Sequence, residues 1–313
     1  MSMAIKIRHS AAAYFAMQGI AVFLWWAILW LYPGSRRYFV LESGSELSLL
    51  AFWMADLLFL GLGSIVTAYL CLRDHEYKQF GVWFVTGTIA HSSIYCFSFA
   101  LLSDTGWLGV TLMIPTMIWS GVFAIGLSFE KTMFRPAAQT TTGWIIAKTM
   151  VQIIVIWSLI LIVFPYLITI VEDKLGIVRF AFPYQAPIAV TLFILISSPG
   201  VFSSILMSRI GRGTPLPLDH ARELVIVGTY SYVRNPMAVS GIGQGLAVAL
   251  FLGSPLVSAY ALMGSAIWQL IFRPLEENDL QRRFGRPYEA YCRAVKCWLP
   301  RTTPYNAATH EDE

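Results

Sequence analysis

The chain has 313 residues, 57% of them hydrophobic and only 13% charged, about half the charge of a soluble domain. Its formal net charge of +4 is spread over many short loops and forms no continuous basic stripe, so a nucleic-acid surface is excluded. The four cysteines show no metal-ligand spacing; Cys71, Cys292 and Cys297 fall on the expected reducing side and Cys96 within an apolar run, so free thiols and no metal are expected.

Taken in chain order, the apolar runs predict eight membrane helices, near residues 11–32, 48–72, 80–102, 106–128, 144–171, 186–208, 237–252 and 254–272. Most reach the roughly 20 residues that cross a hydrocarbon layer. The first run is too long and too rich in Trp for a cleavable signal sequence, and no small-residue cleavage site follows it, so it is read as a membrane helix. The last two runs are short, and Gly253-Ser254-Pro255 between them predicts a tight turn joining a helical hairpin. With both termini cytoplasmic, only Arg36, Arg37, Lys174 and Arg179 of the 22 basic residues lie outside. That bias obeys the positive-inside rule and predicts an all-α polytopic membrane protein, expected in a bacterial inner membrane.

Within the first half, Asp56, His91 and Gln152 stand inside spans, where ionisable and polar groups are costly. Asp56 and His91 are expected to pair across the second and third helices as a structural contact. The Trp and Met residues read as interface anchors and packing. The longest connection, residues 209–236, carries Pro215, Pro217 and Pro236 among apolar residues, so it is expected to pack rather than float. Asp219 and His220 on it are the nearest candidates for a base, and surface positions are the simpler reading. From Arg273 to Arg301, Leu280, Phe284, Tyr288, Tyr291, Val295 and Trp298 recur at helical spacing, predicting an amphipathic segment interrupted at Gly285-Arg286-Pro287. The organisation is therefore a four-helix region over 1–143, a core over 144–301 where polar residues gather, and a frayed tail over 302–313.

Each polar motif of the core has two readings. Glu276-Glu277 is either a solvated helix start or a pair of carboxylates pointing about 100° apart to grip a cation. Gly241, Gly243 and Gly245 either admit a ligand to the backbone or pack helices through a small-xxx-small face. No strand precedes them, so they are no dinucleotide fingerprint. Arg234-Asn235-Pro236 opens the seventh span with proline in its first turn, and Arg234 is either a headgroup anchor or a binding group.

Together, "GTYSYVRNPM", the hairpin and "EENDLQRRFGRPYEAYCRAVKCWLP" resemble the C-terminal core of the isoprenylcysteine carboxyl methyltransferase and phospholipid methyltransferase superfamily. The shared pattern falls on Tyr230, Arg234-Asn235-Pro236, Gly241 and Gly243, Glu276-Glu277, Phe284-Gly285, Tyr288, Tyr291 and Pro300, over about residues 200–301. Two positions depart from it: Asn235 stands where the family usually has His, and Ala238 where many relatives have Tyr. The resemblance implies an integral membrane methyltransferase that uses S-adenosylmethionine and a lipid-soluble acceptor. It implies that Glu276 or Glu277 holds the cofactor's amino group. Arg234, or the amides near Asn235 and Met237, would take its carboxylate. Tyr230, Pro236, Gly241, Gly243, Tyr288 and Tyr291 would complete the cofactor site, with Arg273 and Glu277 as the catalytic candidates.

Two other readings fit the same residues. Sterol reductases have a distantly similar core but bind NADPH, and a membrane scaffold without activity would keep the core alone.

Overall fold

Backbone amides in hydrocarbon find no water, so a spanning segment has to satisfy them internally; the long apolar runs of this chain do so as helices. The computed structural model describes residues 3–39, 46–128, 135–136, 142–212 and 219–306. In order these form α1 (Met3–Leu31), α2 (Glu46–Leu72), α3 (Lys78–Ser103), α4 (Trp107–Ser128), α5 (142–175), α6 (Gln185–Arg209), α7 (Pro236–Leu252), α8 (Pro255–Phe284) and α9 (Arg286–Ala294). The remaining pairing is a two-residue parallel bridge between Arg135–Pro136 and Asp219–His220. Seven described helices are long and apolar enough to cross a membrane, and α7 is a shorter apolar helix of 17 residues. An all-helical polytopic membrane protein with about eight spans is thus the fold. Lys131 and residues 307–313 of the expected frayed tail lie outside the described residues.

The last span differs from expectation. Instead of stopping near residue 272, α8 runs on to Phe284. Its winding loosens to a π-helix over Trp268–Phe272, two residues before Pro274. Proline lacks the amide that would bond back and its ring crowds the preceding turn; a wider π turn just ahead relieves that crowding. The same device recurs in α5, where Leu159–Val163 is π-helical just before Pro165. In α2 a third π-helix covers Asp56–Leu62, with no proline after it.

The chain forms two compact units. The first holds Met1–Glu130, Lys174–Gly176 and Leu270–Leu275. Gly19 of α1 faces Gly61 of α2, and a Cβ at Gly19 would stand 2.8 Å from the Gly61 carbonyl oxygen, so only glycine permits this close crossing. Beside it, Gln18 donates to Ser64 at 3.3 Å and accepts from Ser120 at 3.0 Å, while Tyr14 donates to the Thr116 carbonyl at 2.8 Å. The expected Asp56–His91 pair is not formed. Asp56 Oδ2 instead accepts from Trp26 Nε1 of α1 at 3.2 Å, because α1 is the helix packed on this part of α2, whereas His91 is exposed on α3.

The second unit holds Lys131–Asp173, Ile177–Gln269 and Glu276–Glu313. Its interior is knitted by Gln244, which accepts from Trp157 Nε1 and donates to Ser197 Oγ, both at 2.7 Å, so α5, α6 and α7 share one polar node. The predicted turn at Gly253-Ser254-Pro255 is present. Gly253 closes α7 at φ +65°, and a Cβ there would stand 2.1 Å from the Phe180 carbonyl oxygen. Ser254 caps α8 through Val257 N, and Pro255 fills its first turn. Fully buried Glu172 accepts from both Ser254 Oγ and Leu256 N at 2.7 Å, placing a carboxylate at the positive end of α8. Gly253→Ala combines a left-handed residue with a steric clash, so it is expected to cost at least about 2 kcal/mol. A lowered melting temperature in detergent, with no such loss for Gly264→Ala in open space, checks this.

Candidate functional site

The site is assembled where α7 begins. Asn235 occupies the N-cap of α7, its Oδ1 accepting from Ala238 N at 3.0 Å, with Pro236 in the first turn. Ser, Thr, Asn and Asp are favoured there because a short side-chain acceptor satisfies an otherwise free helix amide. The other half of the same amide, Nδ2, donates to Glu276 Oε2 at 3.1 Å. The neighbouring Arg234 Nη1 lies 3.2 Å from Glu277 Oε1, with side chains 13% and 14% exposed. Residues read as two separate motifs therefore form two adjacent pairs between the start of α7 and the distal part of α8.

The loop before Arg234 is held from behind. Gly228–Ser231 is a 3-10 turn, and Tyr291 of α9 donates its hydroxyl to the Tyr230 carbonyl at 2.6 Å. The segment after α9 then runs beside the loop: Arg234 N bonds to the Lys296 carbonyl, Arg301 N to Tyr232 and Tyr305 N to Ser231. Tyr288, Tyr291, Val295 and Tyr305 form a buried cluster against which Leu224, Ile226, Leu280 and Phe284 pack. This confirms the expected amphipathic tail and the packing of the described part of the long connection. Arg283 reinforces it by donating to the Ala221 carbonyl. Gly285, at φ +56°, breaks the helix between α8 and α9.

Electrostatics follow from this burial. Tyr230 is only 4% exposed and its hydroxyl has no hydrogen-bond partner. Burial, then the Glu276 carboxylate and Tyr291, push its phenol well above the ordinary range, so it remains a protonated donor. Burial also raises Tyr288 and Tyr291. At Arg234 burial opposes the charge, but Glu277 and then Cys292 outweigh it and its pKa is raised. Its Nε is buried without a hydrogen-bond partner. The pair is half-buried, so losing one member would leave the other partly desolvated, at a cost below the about 3–5 kcal/mol of a fully buried pair.

The sequence candidates thus separate. Tyr230, Arg234, Asn235, Pro236, Glu276 and Glu277 are brought together, and Tyr288 and Tyr291 lie in the cluster behind them. Met237 is half-buried at the start of α7. Gly243 serves helix packing: a Cβ there would meet Ile196 of α6 at 2.7 Å, while one at Gly241 would meet Trp157 at an ordinary 3.9 Å. Arg273 opens the stretch of α8 that carries Glu276 and Glu277, and clusters with the first unit. The side chains of Asp219 and His220 lie outside those described. Sequence reasoning missed the Cys292 thiol beside Arg234, and Gln244 and Glu172 as polar nodes. For Gln244 and Glu172, a lone polar residue in an apolar run was the available signal.

A half-buried carboxylate pair, a paired guanidinium and a buried, unpartnered phenol thus lie together at the base of a helical hairpin in a membrane-type helical protein. The model of the phospholipid methyltransferase family matches residues 189–287, from α6 to the first turn of α9, and so shows the superfamily resemblance over that segment. The match supports a membrane methyltransferase in general terms. No curated protein and no solved structure matches the chain.

Asn235→Ala removes the cap and the Glu276 bond together and is expected to lower stability by about 2 kcal/mol. Asn235→Ser, which retains a cap acceptor, should restore about half of that loss. Thermal unfolding of the two variants in detergent measures the difference.

Proposed function

We propose that the second unit binds S-adenosylmethionine and delivers its methyl group to a lipid-soluble acceptor. One observation carries this reading: the Glu276–Glu277 pair stands beside Arg234 and the unpartnered, buried Tyr230 hydroxyl. The donor set fits the zwitterionic end of such a cofactor, since carboxylates suit an ammonium group and buried donors suit a carboxylate. When bound, the cofactor supplies a sulfonium-activated methyl group.

The protein's own part is positioning and exclusion of water. Glu276, held by Asn235, orients the amino group. The Tyr230 phenol stays protonated and donates. Glu277 keeps Arg234 extended, and the Lys296–Tyr305 segment fixes the loop that carries both. Asn235 keeps the hydrogen-bonding role expected at this position without a titrating imidazole, so a base at this position is no part of the mechanism. A carboxylate acceptor needs none, whereas an amine or hydroxyl takes its base from elsewhere. The acceptor enters from the bilayer. The bias of basic residues supports both termini facing the cytoplasm, with a bacterial inner membrane as the setting.

The test is thermal stabilisation of the detergent-purified protein by S-adenosylhomocysteine and, separately, by NADPH. The homocysteine product should stabilise the wild type, and Glu276→Gln should weaken its binding about tenfold or more by removing the charge. No stabilisation, or an unchanged affinity in the variant, rejects the reading, and stabilisation by NADPH alone assigns the site to a reductase. Transfer of labelled methyl groups into extracted membrane lipids then identifies the acceptor class.

A further inference from the structure

The proposed methyl transfer uses none of the first unit's polar residues, and one of them stands apart. Asp56 lies about 15 Å along α2 from Glu46 at 1.5 Å per residue, near the middle of a hydrocarbon layer about 30 Å thick. Its hydrogen bond comes from a neutral group, Trp26 Nε1, at 3.2 Å. Among the described residues no Lys, Arg or His pairs with it.

On α1, Lys6, Arg8, His9 and Tyr14 all lie toward the far end from Trp26, and Arg8 pairs with Asp74 at 2.5 Å. On α3, the Cys96 thiol interacts with Asp56, Tyr95 packs on Phe52 and His91 is exposed. Arg36, beyond α1, bonds to the Leu29 carbonyl and pairs with Glu46. Among the described residues no positive charge therefore offsets a carboxylate here, and an uncompensated charge in lipid is costly.

The backbone marks the same residue. The π-helices of α5 and α8 each precede a proline, but the π-helix of α2 starts at Asp56 itself, with no proline to explain it. Proline-free π turns inside helices frequently accompany functional residues. The Gln18–Ser64–Ser120 cluster lies farther along, and buried Leu60 and Gly61 intervene, so the geometry supports binding at Asp56 and no continuous path through the unit.

We propose that Asp56 is a proton-binding site of the first unit: a carboxyl that takes up and releases a proton inside the membrane beside Trp26, independently of methyl transfer. The test uses the full-length protein and two carbodiimides, the lipid-soluble dicyclohexylcarbodiimide and a water-soluble one. A protonated carboxyl gives its proton to a carbodiimide nitrogen while its oxygen bonds to the central carbon. The acyl group then migrates to nitrogen, leaving a stable N-acylurea with no atom lost. Peptide mapping by mass is expected to find the lipid-soluble reagent on Asp56 in neutral medium, with labelling lost as the medium is made alkaline. The water-soluble reagent should mark exposed carboxyls such as Asp104 instead. Absence of the adduct from Asp56, or labelling that does not change with pH, overturns the proposal. Asp56→Asn should lose the adduct, and the wild-type map decides the question alone if that variant folds poorly.

Discussion

The site of the second unit depends on one turn. At Gly253 the backbone takes a left-handed conformation in a place where the Phe180 carbonyl leaves no room for a Cβ, and the chain reverses from α7 into α8. That reversal brings the far part of α8 back to the level where α7 began. Only then can one side chain, Asn235, cap the first helix and bond to Glu276 on the second. Glu172 secures the turn at its opposite end by accepting from Ser254 and Leu256. Polar groups thus hold both ends of the hairpin, while its middle is joined to α5 and α6 through Gln244. In lipid this division is economical, because apolar surface gains little from association there and satisfied polar groups carry much of the specificity.

The family match and the geometry divide the site unequally. Residues 189–287 include both pairs at the base of the hairpin. The supports that fix Tyr230 to Arg234 come from beyond that segment: Tyr291, Lys296, Arg301 and Tyr305. The two pairs therefore belong to the matched segment, and their immobilisation comes from the tail. Tyr291 illustrates the distinction, since its hydroxyl is already committed to a backbone carbonyl while Tyr230 keeps an uncommitted one.

Much of the fold was legible because hydrocarbon imposes a length on every span. Runs of apolar residues, Gly253-Ser254-Pro255 as a turn and Gly285 as a break all follow from local chemistry, and each stands as read. The meeting of Arg234 and Asn235 with Glu276 and Glu277 was legible only through the resemblance, since no periodicity links residues about forty positions apart. The Asp56–His91 pairing failed for a related reason. Proximity in sequence order suggested neighbouring helices, but the close crossing at Gly19 and Gly61 delivers Trp26 to Asp56.

By itself the sequence determined that the chain crosses a membrane as helices, where it turns, and which polar residues are too expensive to be idle. Those outcomes rest on burial, backbone satisfaction and proline or glycine geometry, which act locally. Tertiary structure alone decided that α8 continues past Pro274 through a π turn, that Gly243 makes room for Ile196, and that Asn235 divides its amide between a helix end and Glu276. Each of these depends on which helix lies alongside, and that is fixed by packing in three dimensions rather than by spacing along the chain.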